Sequence, residues 1–228
     1  MANNWVRILI IIIFLPAFIY SCLSKKSQAS LPFPNTINIT TKTPDSFLVK
    51  FETTKGDFTM KARRYWSPVG TERFYQLVTN HFYDGNVIFR VAQAKSCSGA
   101  FVVQFGLANN ALQNKAWDSA TIIDEPVVVP QTAGGVVFAR SGPHTRSAQV
   151  AIMVSPCAEM DTVSNGSVKG FPTFAVVEEG MQVVKSFNAK YGNSIFDHED
   201  SMLLGREYFD RAYPGLDRIV KTKIVKEW

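Results

Sequence analysis

The stretch that decides the fold is Gly134–Val154, GGVVFARSGPHTRSAQVAIMV. It contains two apolar, β-branched runs, Val136–Ala139 and Val150–Val154, and the polar segment between them includes Gly142-Pro143. Such runs on either side of a Gly-Pro turn signal predict two antiparallel strands joined by a long loop. Gln149 stands where the second strand starts, so we expect its amide to reach into a groove beside that loop.

The residues before this hairpin predict further strands and one helix. The segment 46–62, SFLVKFETTKGDFTMKA, alternates apolar and polar residues on both sides of Thr54–Asp57, which predicts a β-hairpin. Ser67 suits a helix N-cap and Pro68 the first helical position, and apolar residues at helical spacing follow until about Asn80. A short strand is predicted over Val87–Val91.

The residues after the hairpin predict a similar mixture. We interpret the segment 107–130 as mostly loop with a short strand at Thr121–Ile123. A strand is expected at 170–177, a short helix after Gly180, a third helix that ends before Pro214, and a closing strand at 216–226. Many strands with few helices predict an all-β barrel or sandwich with helical caps.

The first residues have a different composition. Arg7 is followed by a run without charged residues from 8 to 24, and Lys25-Lys26 come next. We interpret residues 1–26 as a signal peptide or a signal anchor, 27–45 as a linker, and 46–228 as the folded domain with a C-terminal extension. A bacterial lipoprotein reading of Cys22 stays open. The expected location is the secretory pathway or the cell envelope, with the chain secreted or membrane-anchored.

Composition and missing motifs exclude several functions. The chain has 228 residues, 46% of them hydrophobic and 19% charged, and its net charge of +5 is spread along the sequence, so we expect no nucleic-acid partner. Metal-ligand spacing, a Gly-rich phosphate loop and a G-x-S-x-G elbow are all missing, so we expect no metal and no cofactor. The acidic residues Asp118, Asp124 and Glu125 are interpreted as a solvated face.

Several motifs follow one another in a familiar order: FETTKGDF, ERFYQLV, HFYDGNVIFRV, FVVQFG, VVFARSGPHTRSAQVAI, GFPTFAVV and GMQVV, over about Phe47 to Phe187. This order resembles the cyclophilins, peptidyl-prolyl cis-trans isomerases, in the branch with a QFG motif and a GFxxF segment. The resemblance implies a mainly β fold, a closed eight-stranded antiparallel β-barrel capped by two α-helices. It also implies an isomerase that binds proline-containing peptides and unfolded proteins as a monomer, with cyclosporin as a further candidate ligand.

The resemblance also assigns roles to individual residues. Arg90 and Gln104 are the expected catalytic residues, with Arg90 as the family's arginine. The residues expected to bind substrate are Phe101, Val102, Ala139, Arg140, Gln149, Ala151, Met160 and Phe171. Among them, phenylalanines wall the proline pocket and glutamines hydrogen-bond the peptide backbone.

Three departures from the family pattern affect these roles. The connection from Arg90 to the FVVQFG motif is about six residues longer than usual, and Ala151 stands where the family has Phe at the pocket floor. Arg140 stands where the family commonly has Asn or a small residue. Ala151 and the longer connection after Arg90 leave open a catalytically weak peptide-binding module of the same fold. Because Cys97 and Cys157 fall in or beside two enlarged loops, we hypothesise a disulfide between them, the alternative being two free buried thiols.

Overall fold

The computed structural model describes Pro34 and residues 42–93 and 101–228. The described residues all belong to one compact unit within residues 31–228, which is called the second unit below. Cys97 of the hypothesised disulfide and the predicted signal peptide or signal anchor both lie outside the described residues. Within 42–93 and 101–228, no helix combines the length and the hydropathy needed to cross a bilayer.

The second unit is built around one antiparallel sheet. Its strands and helices are β1 Ser46–Thr53, β2 Gly56–Arg63, α1 Pro68–Thr79, β3 Arg90–Gln93, β4 Phe101–Phe105, α2 Ala111–Ser119, β5 Gly135–Phe138, β6 Val150–Met153, β7 Ser164–Asn165, β8 Val168–Lys169, β9 Thr173–Glu179, α3 Met181–Lys185, α4 Glu199–Met202, α5 Arg206–Ala212 and β10 Ile219–Glu227. Eight strands form the sheet in the order β10-β1-β2-β9-β5-β6-β4-β3, while β7 and β8 form a separate two-stranded hairpin.

The sheet curls until its two edges meet at one end. Val87, just before β3, forms a β-bridge with Arg218, just before β10. The Ile88 N–H donates to the Asp217 carbonyl at 2.9 Å, and the Ile219 N–H donates to the Asn86 carbonyl at 3.0 Å. The expected mainly β fold with eight antiparallel strands is therefore confirmed, and closure rests on these backbone contacts.

Aromatic side chains fill the inside of the curled sheet. The alternation in the first hairpin places Phe51 opposite Phe58, and their rings stack with centroids 4.8 Å apart. Helix α1 buries Phe74, Leu77 and Val78 against this core, as its spacing predicts, and Asn80 is its C-cap. Rings packed in this way contribute more than their buried area alone.

The N-terminus of α1 corrects the interpretation of the acidic loop as a solvated face. The Glu125 carboxylate accepts the backbone N–H of Val69 at 2.7 Å and that of Gly70 at 3.0 Å, and the Ser67 hydroxyl donates to it as well. Its side chain is 8% exposed and pairs with Arg146 at 3.1 Å. A helix N-terminus attracts a carboxylate because its first N–H groups lack partners inside the helix. The solvated-face interpretation was wrong for Glu125.

The same correction applies to Asp124 and not to Asp118. The Asp124 side chain is 5% exposed and pairs with the guanidinium groups of Arg140 and Arg146, each at 3.3 Å. Buried charges persist only when they are paired or hydrogen-bonded, and these carboxylates meet that requirement. Asp118 lies on the exposed side of α2, so the solvated-face interpretation is correct there.

Three local predictions differ from the structure. The segment interpreted as mostly loop contains α2, which begins after Asn110 because the Asn110 side chain accepts the Gln113 N–H at 3.0 Å. At the predicted strand Thr121–Ile123, the structure has only an isolated bridge at Ile122. The single helix expected before Pro214 is divided into α4 and α5 by Gly205, whose φ of 85° favours glycine.

Candidate active site

A cavity of about 340 Å³ opens on the outer face of the sheet, beside the loop between β5 and β6. Strands β3, β4 and β6 contribute Arg90, Val102, Gln104, Ala151 and Met153, and the segments outside the strands contribute Ala139, Arg140, Gln149, Met160 and Phe171. Nine of the ten side chains expected to act on or bind substrate line this cavity, and Phe101 is the exception. The β5–β6 hairpin therefore forms one wall of the groove that Gln149 was expected to face.

The sheet register explains why these side chains meet. Arg90 on β3 lies opposite Gln104 on β4, Gln104 lies opposite Ala151 on β6, and Ala151 lies opposite Val137 on β5. Residues directly opposite one another share a face of the sheet. One row across four strands thus brings the basic, amide and apolar groups of the cavity together, while the alternate residue Val103 points into the core.

Hydrogen bonds link the polar members of the row. Arg90 Nη1 donates to Gln104 Oε1 at 3.0 Å, and Gln104 Nε2 donates to Gln149 Oε1 at 3.0 Å. A guanidinium can only donate, so it fixes which end of the Gln104 amide faces it. The same choice fixes the orientation of the Gln149 amide, whose NH₂ group has no hydrogen-bond acceptor among the described residues.

Arg90 is a cation without a carboxylate partner among the residues that the structure describes. Its Nε donates to Asn193 Oδ1 at 2.9 Å, and its guanidinium lies over the Phe196 ring at 5.1 Å. Burial lowers the pKa of the Arg90 guanidinium from its ordinary value. The guanidinium nevertheless stays protonated at neutral pH because its intrinsic pKa is so high. The groove therefore presents a guanidinium that forms no ion pair with a described residue, although Asp118 and Glu199 line the same cavity.

The family can now be assigned. Residues 48–201, more than half of the chain, match the family model described as "Cyclophilin type peptidyl-prolyl cis-trans isomerase/CLD". The chain belongs to the cyclophilin family. Its enzyme class is accordingly that of the peptidyl-prolyl cis-trans isomerases.

Two individual proteins agree with this assignment. Peptidyl-prolyl cis-trans isomerase cypE of Dictyostelium discoideum is 23% identical over 147 residues, which cover 64% of this chain and 87% of that protein. The crystal structure of a cyclophilin-type peptidyl-prolyl cis-trans isomerase from Cryptosporidium parvum superimposes with a TM-score of 0.53 at 14% identity. That comparison covers 80% of this chain and 99% of the other, so it supports the fold.

Phe101 is the one expected pocket residue that this cyclophilin does not bring into the groove. Because side chains alternate along β4, Val102 and Gln104 face the cavity and Phe101 does not. Its side chain is 46% exposed, and its backbone N–H donates to Ser155 Oγ at 3.3 Å. The structure therefore leaves Phe101 outside the cavity lining, and its role as a wall of the proline pocket stays a prediction.

Arg140 lines the groove, as expected, and its guanidinium forms an ion pair with Asp124. Its side chain is fully buried, its Nη1 lies 3.3 Å from Asp124 Oδ1, and its guanidinium lies over the Phe171 ring at 4.3 Å. Burial lowers the pKa of Arg140, against the opposing effect of Asp124. Arg140 and Phe171 therefore form a stacked wall of the cyclophilin groove opposite the Arg90 row.

The floor of the groove is apolar although Ala151 supplies only a methyl group. Val102 and Met153 are buried together with Cys157, and Met160 packs against them. Cys157 is disulfide-bonded and 2% exposed. Its pairing with Cys97 stays a prediction because Cys97 lies outside the described residues.

Sequence reasoning missed the contribution of the segment between α3 and β10. Phe196 and Glu199 line the groove, and Asn193 bonds to Arg90. No motif marks these residues, and they reach the groove through packing of distant segments. Groups of three or more His, Cys, Asp or Glu side chains that could hold a metal do not occur among the described residues.

Proposed function

We propose that this cyclophilin isomerises X-Pro bonds of exported chains, with Arg90 stabilising the twisted prolyl amide. Rotation about an X-Pro bond faces a barrier of about 20 kcal/mol, because the nitrogen lone pair is shared with the carbonyl. A donor directed at the prolyl nitrogen localises that lone pair and so favours the twisted state over both planar forms.

The arrangement of Arg90 carries this proposal. Two of its three guanidinium nitrogens are bound, Nε to Asn193 and Nη1 to Gln104. Nη2 makes no hydrogen bond to any residue in the described part of the chain and remains available to a substrate. A donor that is already oriented needs no rearrangement as the amide twists, which is the condition for electrostatic stabilisation of a transition state.

The remaining groups of the cavity hold the peptide. The apolar floor formed by Val102, Met153 and Met160 receives the proline ring, while the free NH₂ of Gln149 donates to a peptide carbonyl. No covalent bond of the substrate breaks, so the reaction needs neither a nucleophile nor a cofactor. The same groove is the proposed site for cyclosporin, and the proposed working form is a monomer.

The proposed location rests on the sequence of the N-terminus. The uncharged run from 8 to 24 between Arg7 and Lys25 has the pattern of a signal peptide or signal anchor. The clients of this cyclophilin would be unfolded proline-containing chains in the secretory pathway or cell envelope. A fusion of residues 1–45 to a reporter active only after export tests the location, and a reporter that stays inactive would contradict it.

A prolyl isomerisation assay with the full chain and a short X-Pro peptide tests the activity. We expect Arg90→Ala to lower kcat/KM by about 10²–10³, the loss seen when one preorganised donor is removed. Arg211→Ala is the matched control, because Arg211 is exposed on α5 and outside the groove. If the parent chain shows no rate above background, the proposed activity is refuted and a peptide-binding module is the remaining interpretation. A fully active Arg90→Ala would refute the role of Arg90.

A further inference from the structure

The segment between α3 and β10 packs directly behind the strand that carries Arg90. A second apolar cluster joins Phe89, which immediately precedes Arg90, to Ile195, Met202 and Phe209 of this segment. The rings of Phe89 and Phe209 stack with centroids 6.0 Å apart and planes 17° apart. The packing holds the segment against β3 independently of the main core.

Asn193 lies where this segment crosses β3 and bonds to both of its ends. Its Oδ1 accepts from Arg90 Nε at 2.9 Å, and its Nδ2 donates to the Gln93 carbonyl at 3.1 Å. Arg90 and Gln93 are the first and last residues of β3. A side-chain amide suits this position because it carries both an acceptor and a donor.

These bonds matter because β3 is an edge strand. It pairs with β4 on one side only, and a seven-residue connection, 94–100, separates it from β4. A short edge strand beside a long connection has few contacts to fix its position. Asn193 supplies two of them, one to the backbone of the last residue and one to the side chain of the first.

Phe196 completes the support of the guanidinium. Its ring lies 5.1 Å from Arg90 Cζ and also lines the groove. Gln104 binds Nη1 from the opposite strand at 3.0 Å. With Nε, Nη1 and one face of the guanidinium occupied, rotation of the side chain about its long axis would break all three contacts. Such multiple support is what holds a catalytic group within a narrow range of geometry.

We propose that Asn193 is the positioning residue for Arg90, so that the segment between α3 and β10 is part of the active site. The inference rests on the proposed role of Arg90. Asn193 does not touch the substrate in this scheme. It fixes the plane of the guanidinium so that Nη2 meets the prolyl nitrogen, and its loss lets the side chain turn without changing the groove that binds the peptide.

Three variants of the full chain test this proposal. Asn193→Ala removes the acceptor and the donor, Asn193→Asp keeps the acceptor for Arg90 and loses the donor to Gln93, and Ser194→Ala is a neighbouring exposed control. We expect Asn193→Ala to lower kcat about tenfold with KM changed less than twofold. We expect Asn193→Asp to stay within about threefold of the parent and Ser194→Ala to match it.

The Nε–H resonance of Arg90 gives a readout that does not depend on activity. It is assigned by its loss in Arg90→Lys, and its hydrogen exchange with water reports whether the bond to Asn193 exists. We expect exchange at least tenfold faster in Asn193→Ala and near the parent rate in Asn193→Asp. An unchanged resonance and kcat in Asn193→Ala, or equal losses in the Ala and Asp variants, would overturn the proposal.

This design separates two kinds of failure. If Arg90→Ala keeps the parent rate, the proposed role of Arg90 fails, whereas the Nε–H resonance still shows whether Asn193 holds the side chain. If Arg90→Ala is inactive and Asn193→Ala keeps both its rate and its resonance, only the positioning role fails. Should Asn193→Ala be unfolded, Asn193→Ser supplies a small polar replacement for the same two measurements.

Discussion

Replacing Glu125 by Gln should cost far more stability than an ordinary surface change. The carboxylate accepts four donors: the N–H groups of Val69 and Gly70, the Ser67 hydroxyl and Arg146 Nη2. Three of these donors meet the same oxygen, Oε2. In the Gln variant, one of the two carboxylate oxygens is replaced by an NH₂ group. If the NH₂ group replaces Oε1, the Val69 N–H loses its acceptor, and if it replaces Oε2, three donors lose theirs.

The structure sets the size of the effect. The Arg146 side chain is 1% exposed and the Glu125 side chain 8%, so solvent replaces little of the lost interaction. Removing one partner of a buried ion pair typically costs about 3–5 kcal/mol, and Asp124 still partners Arg146 in the variant. We therefore expect about 4 kcal/mol including the lost helix cap, which corresponds to a Tm lower by roughly 8–16 °C for a domain of this size.

Urea unfolding of the full chain at pH 7, followed by fluorescence, measures this loss. Glu178→Gln is the matched control, because its side chain is 43% exposed and lies 3.8 Å from Lys61. Its cost should stay below about 1 kcal/mol. Combining Glu125→Gln with Arg146→Met should cost less than the sum of the single changes, since they share one interaction. A loss below about 1 kcal/mol for Glu125→Gln would refute the reasoning.

Three further predictions follow from individual contacts. Burial, helped by a hydrogen bond to Glu227, raises the pKa of Tyr75 to about 12, so this phenol adds stability below about pH 10 that is lost as pH rises towards 12. Urea unfolding at pH 8 to 11.5 should show the advantage of the parent over Tyr75→Phe shrinking, and a constant difference would count against it. Gly106→Ala should lower both Tm and kcat/KM, since its Cβ would clash with the carbonyl oxygen of Ala148, whereas Gly142→Ala should match the parent in both. Ala151→Phe should lower KM for an X-Pro peptide about tenfold by restoring an aromatic floor, and a raised KM would show that the ring blocks the groove instead.

The strands could be predicted because their signal is local. Alternation along the segment 46–62 places Phe51 and Phe58 on one face without reference to any distant residue, and the structure has them stacked. The cyclophilin motifs likewise placed Arg90, Gln104 and Gln149 in one groove, since Arg90 and Gln104 pair in the sheet and Gln149 directly precedes β6. These features depend on neighbours in sequence or on the family pattern.

Other features depend on partners that lie far away in sequence. Glu125 is buried because it meets the first turn of α1 more than fifty residues earlier, and its own surroundings give no sign of this. Asn193 reaches Arg90 across a separation of 103 residues. Helix α2 is different, because Asn110 followed by strong helix formers is a recognisable start. The segment was nevertheless interpreted as a loop, whereas in the structure it is a helix that buries Gln113, Asn114 and Trp117.

The position of β10 sets a practical limit for anyone who shortens this protein. The family match ends at residue 201, whereas β10 runs from Ile219 to Glu227 and pairs with β1 along its length. A fragment cut at that limit would expose the edge of β1 next to the buried Phe47 and Phe51, and such an edge invites aggregation. The minimal expressible piece must therefore extend to Trp228, whose backbone N–H still bonds to Ser46 at 2.9 Å.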